Sequence, residues 1–194
     1  AHLQTAKIHR LTGNYEKAVK KIKSLLVEEE FRDLFGALEL ELVRIYELKN
    51  ENEDASERLQ SIINDYSSTE ISSEAYYILG KKAIKESWNL KAAKDYFEKS
   101  NKESRKSPFI KESQEIIKQI DKYFSAKQLV FVNEDTVSNQ QDSLETQKAI
   151  SKDLISVNIS KNDDAATNLM LMAELETFTF KNPDSAVVHL NTFI

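Results

Sequence analysis

Apolar residues recur every three or four positions along most of the chain, a pattern typical of helices that bury one face. Residues 15–27, for example, place Ala18, Ile22 and Leu25 on a single side of a helix. The same pattern predicts further helices over residues 1–11, 31–48, 53–65, 71–86, 90–101, 144–159 and 163–180, one that opens at Ser107 and Pro108, and a last one after residues 182–186. We therefore expect an all-α protein built from consecutive helical hairpins.

The helical pattern stops at residues 133–143, where NEDTVSNQQDS has ten polar residues out of eleven and no apolar stripe. So few apolar residues cannot offset the entropy of ordering the chain, and we predict a mobile insertion. Two roles are open for it, a plain linker or a recognition segment that orders on binding. QLVFV, residues 128–132, either ends the preceding helix or is extended. The predicted organisation is helical repeats over 1–132, the insertion at 133–143, and further helical repeat over 144–194.

Three polar corners between the predicted helices are alike. They read GNYEKA (13–18), KNENEDA (49–55) and SWNLKAA (87–93), and each leads to an alanine in the following helix. These alanines, Ala18, Ala55 and Ala92, are evenly spaced by 37 residues. The same shift aligns two further sets, Ile22, Leu59 and Tyr96, and Ala6, Val43 and Gly80. Small residues let two helices approach closely, so the spacing predicts a stack of 37-residue hairpins.

The stretch AYYILGKKAIKESWNLKAAKDYFEKS (75–100) resembles the tetratricopeptide repeat family, with Leu79, Gly80, Ala92 and Tyr96 on its signature positions. LMLMAELETFTFKNPDSAVVHL (169–190) resembles a further unit. The resemblance implies a right-handed superhelical solenoid of antiparallel hairpins, with a concave groove that binds protein segments and needs no cofactor. Residues 65–80 are similar to the inter-repeat stretch of bacterial envelope members. That likeness favours a periplasmic or outer-membrane-associated protein over a cytoplasmic one.

Groove-facing positions of that family fall on the first helix of each hairpin. In this chain they are the basic residues Lys7, Arg44 and Lys81 and the apolar residues Leu3, Leu40 and Tyr77. The resemblance implies that they bind a protein or peptide with apolar anchors and an acidic group, since Arg and Lys pair with carboxylates. The alternative is that the bases are solvated and the apolar residues seal adjacent repeats.

Composition narrows the function classes. The chain of 194 residues has a net charge of −5, with 27 basic and 32 acidic residues interleaved, so nothing suggests the basic stripe of a nucleic-acid-binding protein. Cysteine is absent, which excludes disulfides and thiol catalysis, and three Gly cannot build a phosphate-binding loop. No apolar run reaches the roughly 20 residues of a transmembrane helix. We expect no cofactor.

Few residues in the sequence are candidates for a metal site or a catalytic site. His2 and His9 are seven residues apart and could share a helix face, but a metal site needs a third ligand that the sequence does not place nearby. Acidic pairs such as Asp163 and Asp164 suit helix termini better than a pair of catalytic carboxylates. Trp88, at a corner, fits packing better than an interface.

These patterns lead to a functional hypothesis with two rivals. The chain is expected to be a non-enzymatic scaffold or adaptor that binds a partner segment in its groove, in bacterial envelope assembly. The first rival is a structural subunit that assembles, and self-associates, through exposed repeat ends; the second is an accessory domain of an enzyme. Both termini fall inside helical patterns, so we expect a piece of a longer or processed protein.

Overall fold

The structure is a computed structural model, and it describes residues 2–138 and 161–191. Within these ranges every regular element is helical. The α-helices are α1 (His2–Leu11), α2 (Tyr15–Leu25), α3 (Phe35–Leu48), α4 (Asn52–Asp65), α5 (Glu70–Lys85), α6 (Leu90–Glu103), α7 (Ile110–Ser138), α8 (Lys161–Glu174) and α9 (Pro183–Asn191). A 3-10 segment, Glu29–Leu34, precedes α3, and a π-helical segment, Leu175–Thr179, extends α8. The prediction of an all-α protein is confirmed.

The chain divides into two compact units, one reaching to Ile117 and one from Lys118 onward. The first unit contains three hairpins, α1 with α2, α3 with α4, and α5 with α6, whose paired helices pack on each other. Consecutive hairpins also join, because α2 packs on α3 and α4 packs on α5. The first helices contact each other as well, α1 with α3 and α3 with α5.

Two buried clusters hold these hairpins together. Ala6 and Ala18 sit with Ile22, Leu38 and Ile45 in the first, so side chains from α1, α2 and α3 share one core. The second joins α3, α4 and α5 through residues that include Leu40, Val43, Ala55, Leu59 and Ala75. Burying one large aliphatic side chain stabilises a fold by about 1.5–3 kcal/mol. Since α3 contributes to both clusters, it ties the first hairpin to the third.

The 37-residue register changes by one residue in the third hairpin. Ala18 and Ala55 are fully buried as predicted, but the fully buried alanine of α6 is Ala93, while Ala92 is only half-buried. Phe97 rather than Tyr96 likewise fills the place of Ile22 and Leu59, since all three are 0% exposed. The alignment of Ala92 and Tyr96 with the earlier hairpins is therefore corrected.

An extra corner residue explains the change of register. The first two corners span residues 12–14 and 49–51, whereas the third spans 86–89. Each corner turns through one residue with positive φ, Gly13 at 72°, Asn50 at 60° and Trp88 at 49°. The amides of Asn14 and Glu51 bond to carbonyls five residues back, but that of Asn89 bonds six residues back, to Ala83.

In the second unit, α7 continues through the region that the sequence marked as irregular. QLVFV (128–132) and residues 133–138 belong to this helix, so the predicted insertion does not begin at residue 133. No Gly or Pro interrupts residues 128–138, and nothing there forces the backbone out of the helix. The remaining part of the predicted insertion, 139–143, and the predicted helix at 144–159 lie outside the described residues.

The hairpin of α8 and α9 has the same corner as the third hairpin, 93 residues earlier in the chain. Lys181 has a φ of 58°, like Trp88. The amide of Asn182 bonds six residues back to Glu176, and its side chain accepts a bond from the amide of Ser185, three residues on. Asn89 likewise accepts a bond from the amide of Ala92. Ala173 and Ala186 are buried at the places of Gly80 and Ala93, as expected for a further helical hairpin.

None of the helices in the described ranges combines the length and the apolarity that crossing a bilayer requires.

Candidate interaction face

The six residues predicted to face a groove lie on the first helix of their hairpins. They are Leu3 and Lys7 on α1, Leu40 and Arg44 on α3, and Tyr77 and Lys81 on α5. The members of each pair are four residues apart, so both side chains project from one face of the helix. Each helix thus presents an apolar residue followed one turn later by a base, which we term an anchor–base pair.

Leu40 belongs to the core. Its side chain is 2% exposed and lies in the cluster that contains Leu59 and Ala75. Ile71, in the first turn of α5, packs against the same cluster. The expectation that Leu40 faces a groove is corrected, because the packing of α4 and α5 on α3 leaves almost none of this side chain within reach of a partner.

Arg44 is paired with two carboxylates of its own chain. Its guanidinium donates hydrogen bonds to Glu41, on the same helix, and to Glu74 on α5. The side chains of Arg44 and Glu74 are 30% and 20% exposed, so water screens this ion pair less than it screens a surface pair. The acidic group that was expected from a partner is supplied by the next hairpin.

Tyr77 and Lys81 meet the start of α7 in the same manner. The Tyr77 ring stacks on that of Phe109, with centroids 4.5 Å apart and an interplanar angle of 20°. Nζ of Lys81 lies 3.6 Å from Oε1 of Glu112. Burial raises the pKa of the Tyr77 phenol, and a hydrogen bond with Glu112 raises that pKa further, because both favour the neutral phenol.

These contacts are one arrangement used twice. In each case the anchor–base pair of one hairpin is matched by an apolar residue at the beginning of the next hairpin or of α7, and by a glutamate three positions after it. We term these two matching residues an apolar–glutamate pair. Ile71 packs against the cluster that contains Leu40, and Glu74 pairs with Arg44; Phe109 stacks on Tyr77, and Glu112 pairs with Lys81. The two apolar–glutamate pairs are 38 residues apart, one more than the anchor–base pairs, because the longer third corner lies between them.

At Leu3 and Lys7 the glutamate is missing. The residues 37 positions before Ile71 and Glu74 are Leu34 and Ala37. Leu3 and Leu34 both pack against the first core cluster, as Ile71 packs against the cluster that contains Leu40. Lys7 is half-buried, and no carboxylate of the described residues lies within ion-pairing distance of its ammonium. Ala37 therefore stands where the other two contacts have an acid.

Arg10 carries the ion pair between α1 and α3 instead, one turn beyond Lys7. Its Nε lies 2.8 Å from Oε2 of Glu41, whose side chain is 1% exposed. Glu41 thus accepts bonds from Arg10 and from Arg44, which offsets the cost of removing its charge from water. Sequence reasoning missed both Arg10 and Glu41. The one available signal was a glutamate between Leu40 and Leu42, inside an apolar stretch.

A second buried carboxylate, Glu176, lies in the π-helical segment of the second unit and is 0% exposed. Tyr123 of α7 and Ser185 of α9 donate to its Oε1 over 2.8 and 3.1 Å. Burial, and then the bond to Glu176, raise the pKa of Tyr123. Glu176 therefore links α7 to the last hairpin, and sequence reasoning did not single it out.

The remaining candidates take simple structural places. His2 is exposed, with its ring centroid 4.8 Å from that of Phe31, and His9 is half-buried. Over residues 2–138 and 161–191, no group of three or more His, Asp or Glu side chains is arranged to hold a metal ion. Trp88 is half-buried at its corner, in the left-handed conformation that Gly13 adopts in the first corner.

Comparison with known proteins adds no family to these observations. No protein-family model matches the chain, and a search of curated proteins finds no significant match. A functional proposal therefore rests on the contacts described above and on the sequence pattern.

Proposed function

We propose that the protein is a non-enzymatic scaffold that binds a segment of a partner protein along the first helices of its hairpins. On this proposal the hairpins continue as a right-handed superhelical solenoid of the tetratricopeptide type, with the first helices lining the concave side. The shared clusters support it, because a single hairpin cannot bury its apolar face alone and a stack can. The ion pairs between α1, α3 and α5 add support, since they hold that face together.

The main support for the proposal is that Lys7, unlike Arg44 and Lys81, has no internal carboxylate partner in the part of the chain that the structure describes. Arg44 is held by Glu41 and Glu74, so a partner would have to displace an internal acid to use it. Lys7 has no such acid among the described residues. Lys81 is a second accessible cation, because its pair with Glu112 is more than half exposed and such pairs contribute only about 0–1 kcal/mol.

Affinity capture from the cells that produce the protein tests this function. The bait is the full chain, compared with Lys7→Glu and with Lys20→Glu, a charge reversal at an exposed lysine of α2. We expect one set of proteins to be retained by the parent and by Lys20→Glu and lost from Lys7→Glu, with circular dichroism unchanged. Identical captured sets on all three baits would rule out the α1 face.

A bacterial envelope setting belongs to the same proposal and rests on the resemblance of residues 65–80. Fractionation of the producing cells, followed by immunoblotting, tests it. Recovery with periplasmic or outer-membrane proteins supports the setting, and recovery with cytosolic proteins alone contradicts it.

A structural subunit is the second candidate, favoured by the surface of the last hairpin. Phe178, Val187 and Val188 are 70%, 55% and 62% exposed. The residues 93 positions earlier, in the third hairpin, are Lys85, Lys94 and Asp95. Large apolar side chains thus replace charged ones where the same hairpin geometry leaves the side chain open to water, as expected for a surface that assembles.

Light scattering over a concentration series tests this second function. The variant Val187→Lys/Val188→Asp restores the charged residues of α6 at the equivalent positions. We expect the parent chain to increase in mass with concentration and the variant to stay monomeric. A parent chain that is monomeric throughout the series would remove this candidate.

A further inference from the structure

We propose that Lys7 is the recognition site for a side-chain carboxylate of the partner segment, an Asp or Glu that follows an apolar residue by three positions on a helix. This inference rests on the proposed scaffold function and names the chemistry of the partner at one site. It concerns the surface formed by Leu3, Lys7 and Ala37, which we term the α1 site.

The protein itself contains two examples of the ligand. On α5, Ile71 packs against the cluster of Leu40 and Glu74 pairs with Arg44; Phe109, directly before α7, stacks on Tyr77, and Glu112 in its first turn pairs with Lys81. In both cases the apolar residue and the acid are three positions apart, about one helical turn. The chemistry that satisfies an anchor–base pair is therefore established twice within one chain.

The α1 site keeps the base and has an alanine at the position that holds the acid in the other two contacts. Ala37, at the position of Glu74 and Glu112, ends in a methyl group, so the volume of a glutamate side chain above it is not filled by that residue. Lys7 and Leu3 are both half-buried, which reduces screening of the ammonium while leaving part of each side chain accessible.

The charges around the α1 site favour an anion. The neighbouring charged groups on α1 and α3 are Arg10, Glu41 and Arg44, and they bond to one another. Glu74 then neutralises the second guanidinium. The network of two arginines and two glutamates is balanced, so it has no surplus acid for Lys7, whose ammonium an incoming carboxylate would neutralise.

A peptide copied from the chain is the probe for this site. The peptide SPFIKESQEIIKQI (residues 107–120) carries Phe109 and Glu112, and it is labelled and titrated with the full chain by fluorescence anisotropy. We expect saturable binding that weakens about fivefold when the protein carries Lys7→Gln, because a partly exposed ion pair contributes up to ~1 kcal/mol. A peptide with Glu112→Gln should weaken by a similar factor.

Matched controls isolate the site. The peptide change Glu115→Gln and the protein change Lys20→Gln should leave the affinity unaltered, since neither residue belongs to an anchor–base or apolar–glutamate pair. Ala37→Glu should weaken binding by at least the factor seen with Lys7→Gln, because the protein then supplies the carboxylate itself.

Three outcomes would overturn the inference: no binding to the parent chain, equal binding to the parent and to Lys7→Gln, or binding that is lost only with Lys81→Gln. The last would mean that the peptide occupies the place of α7. None of these touches the capture experiment above, where loss of partners from Lys7→Glu would still support the scaffold function.

Discussion

At the residue scale, helix spacing in the first unit depends on matched pairs of small and large side chains. Ala6 accompanies Ile22 in the first hairpin, and in the third Gly80 accompanies Phe97, the smallest residue beside the largest side chain. All of Ile22, Leu59 and Phe97 are fully buried. From the first hairpin to the third, the side chain of the second helix therefore grows where that of the first helix shrinks, and the Phe97 ring fills the space that Gly80 leaves.

Gly80→Ala tests this matching. A methyl group at Gly80 would lie 2.6 Å from Cε1 of Phe97, and a ring that is 0% exposed has little room to move. We expect the free energy of unfolding, measured with urea, to fall by about 1–3 kcal/mol. Adding Phe97→Leu to this variant should recover part of the loss. An unchanged unfolding midpoint in Gly80→Ala would contradict the close contact.

Tyr77 and Tyr123 make stability sensitive to alkaline pH. Burial and a bond to a glutamate raise the pKa of each phenol above the ordinary value of 10.0. The unfolded chain therefore loses these protons first, so their contribution to stability is complete below pH 10 and is lost as the pH rises above it. Urea unfolding at a series of pH values should show this fall, and Tyr77→Phe/Tyr123→Phe should flatten it.

A direct titration provides the control for the tyrosines. The absorbance of tyrosinate is recorded for the parent and for Tyr77→Phe/Tyr123→Phe, and the difference between the two should titrate above the ordinary phenol pKa of 10.0. A difference that titrates at pH 10 in the folded protein would contradict the bonds of Tyr77 to Glu112 and of Tyr123 to Glu176.

At the element scale, the helices could be predicted from the sequence and their exact register could not. The apolar periodicity placed the ends of α1 to α6 within about two residues, which is the usual accuracy for helix termini, except that α3 begins at Phe35, four residues after the predicted start, because residues 29–34 form a 3-10 segment. The alignment erred at α6, because two alanines, Ala92 and Ala93, stand side by side and the even spacing selected the wrong one. Only the backbone of the third corner, where Trp88 has a positive φ, shows that this corner is one residue longer than the first two.

The residues that contact the anchor–base pairs could not be predicted from the sequence either. The spacing of Arg44 and Lys81 and their need for an acid were readable, but the acids, Glu74 and Glu112, lie 30 and 31 residues further on. Nothing local links residues so far apart, since the contact depends on how two helices pack. Buried Glu41 and Glu176 escaped notice for the same reason, because each has a partner on another helix, Arg10 on α1 for Glu41 and Tyr123 on α7 for Glu176.

Ala37→Glu should create the contact that α1 lacks. The introduced carboxylate would face Lys7 as that of Glu74 faces Arg44, and we expect the free energy of unfolding to rise by about 0.2–1 kcal/mol, the contribution of a partly exposed pair. The gain should vanish in a Lys7→Gln background and should be absent in Ala37→Gln. A gain of the same size in Ala37→Gln would mean that packing of the longer side chain, rather than the ion pair, is responsible.

At the scale of the whole molecule, the first helices of the first unit serve to join hairpins. α1 contacts α3 through Arg10 and Glu41, α3 contacts α5 through Arg44 and Glu74, and α5 contacts the start of α7 through Lys81 and Glu112. Five of the six residues expected to bind a partner therefore have demonstrated contacts inside the unit, and Lys7 differs from them. The second unit uses its own buried link, Glu176 with Tyr123.

A double-mutant cycle on Arg44 and Glu74 tests most directly whether the predicted groove residues join successive hairpins. The free energy of unfolding is measured by urea for the parent, Arg44→Gln, Glu74→Gln and the double variant, with Lys20→Gln/Glu74→Gln as a distant control pair. We predict a coupling of about 1 kcal/mol for Arg44 with Glu74 and none for the control pair. Effects for Arg44 and Glu74 that add to within ~0.3 kcal/mol would contradict the account.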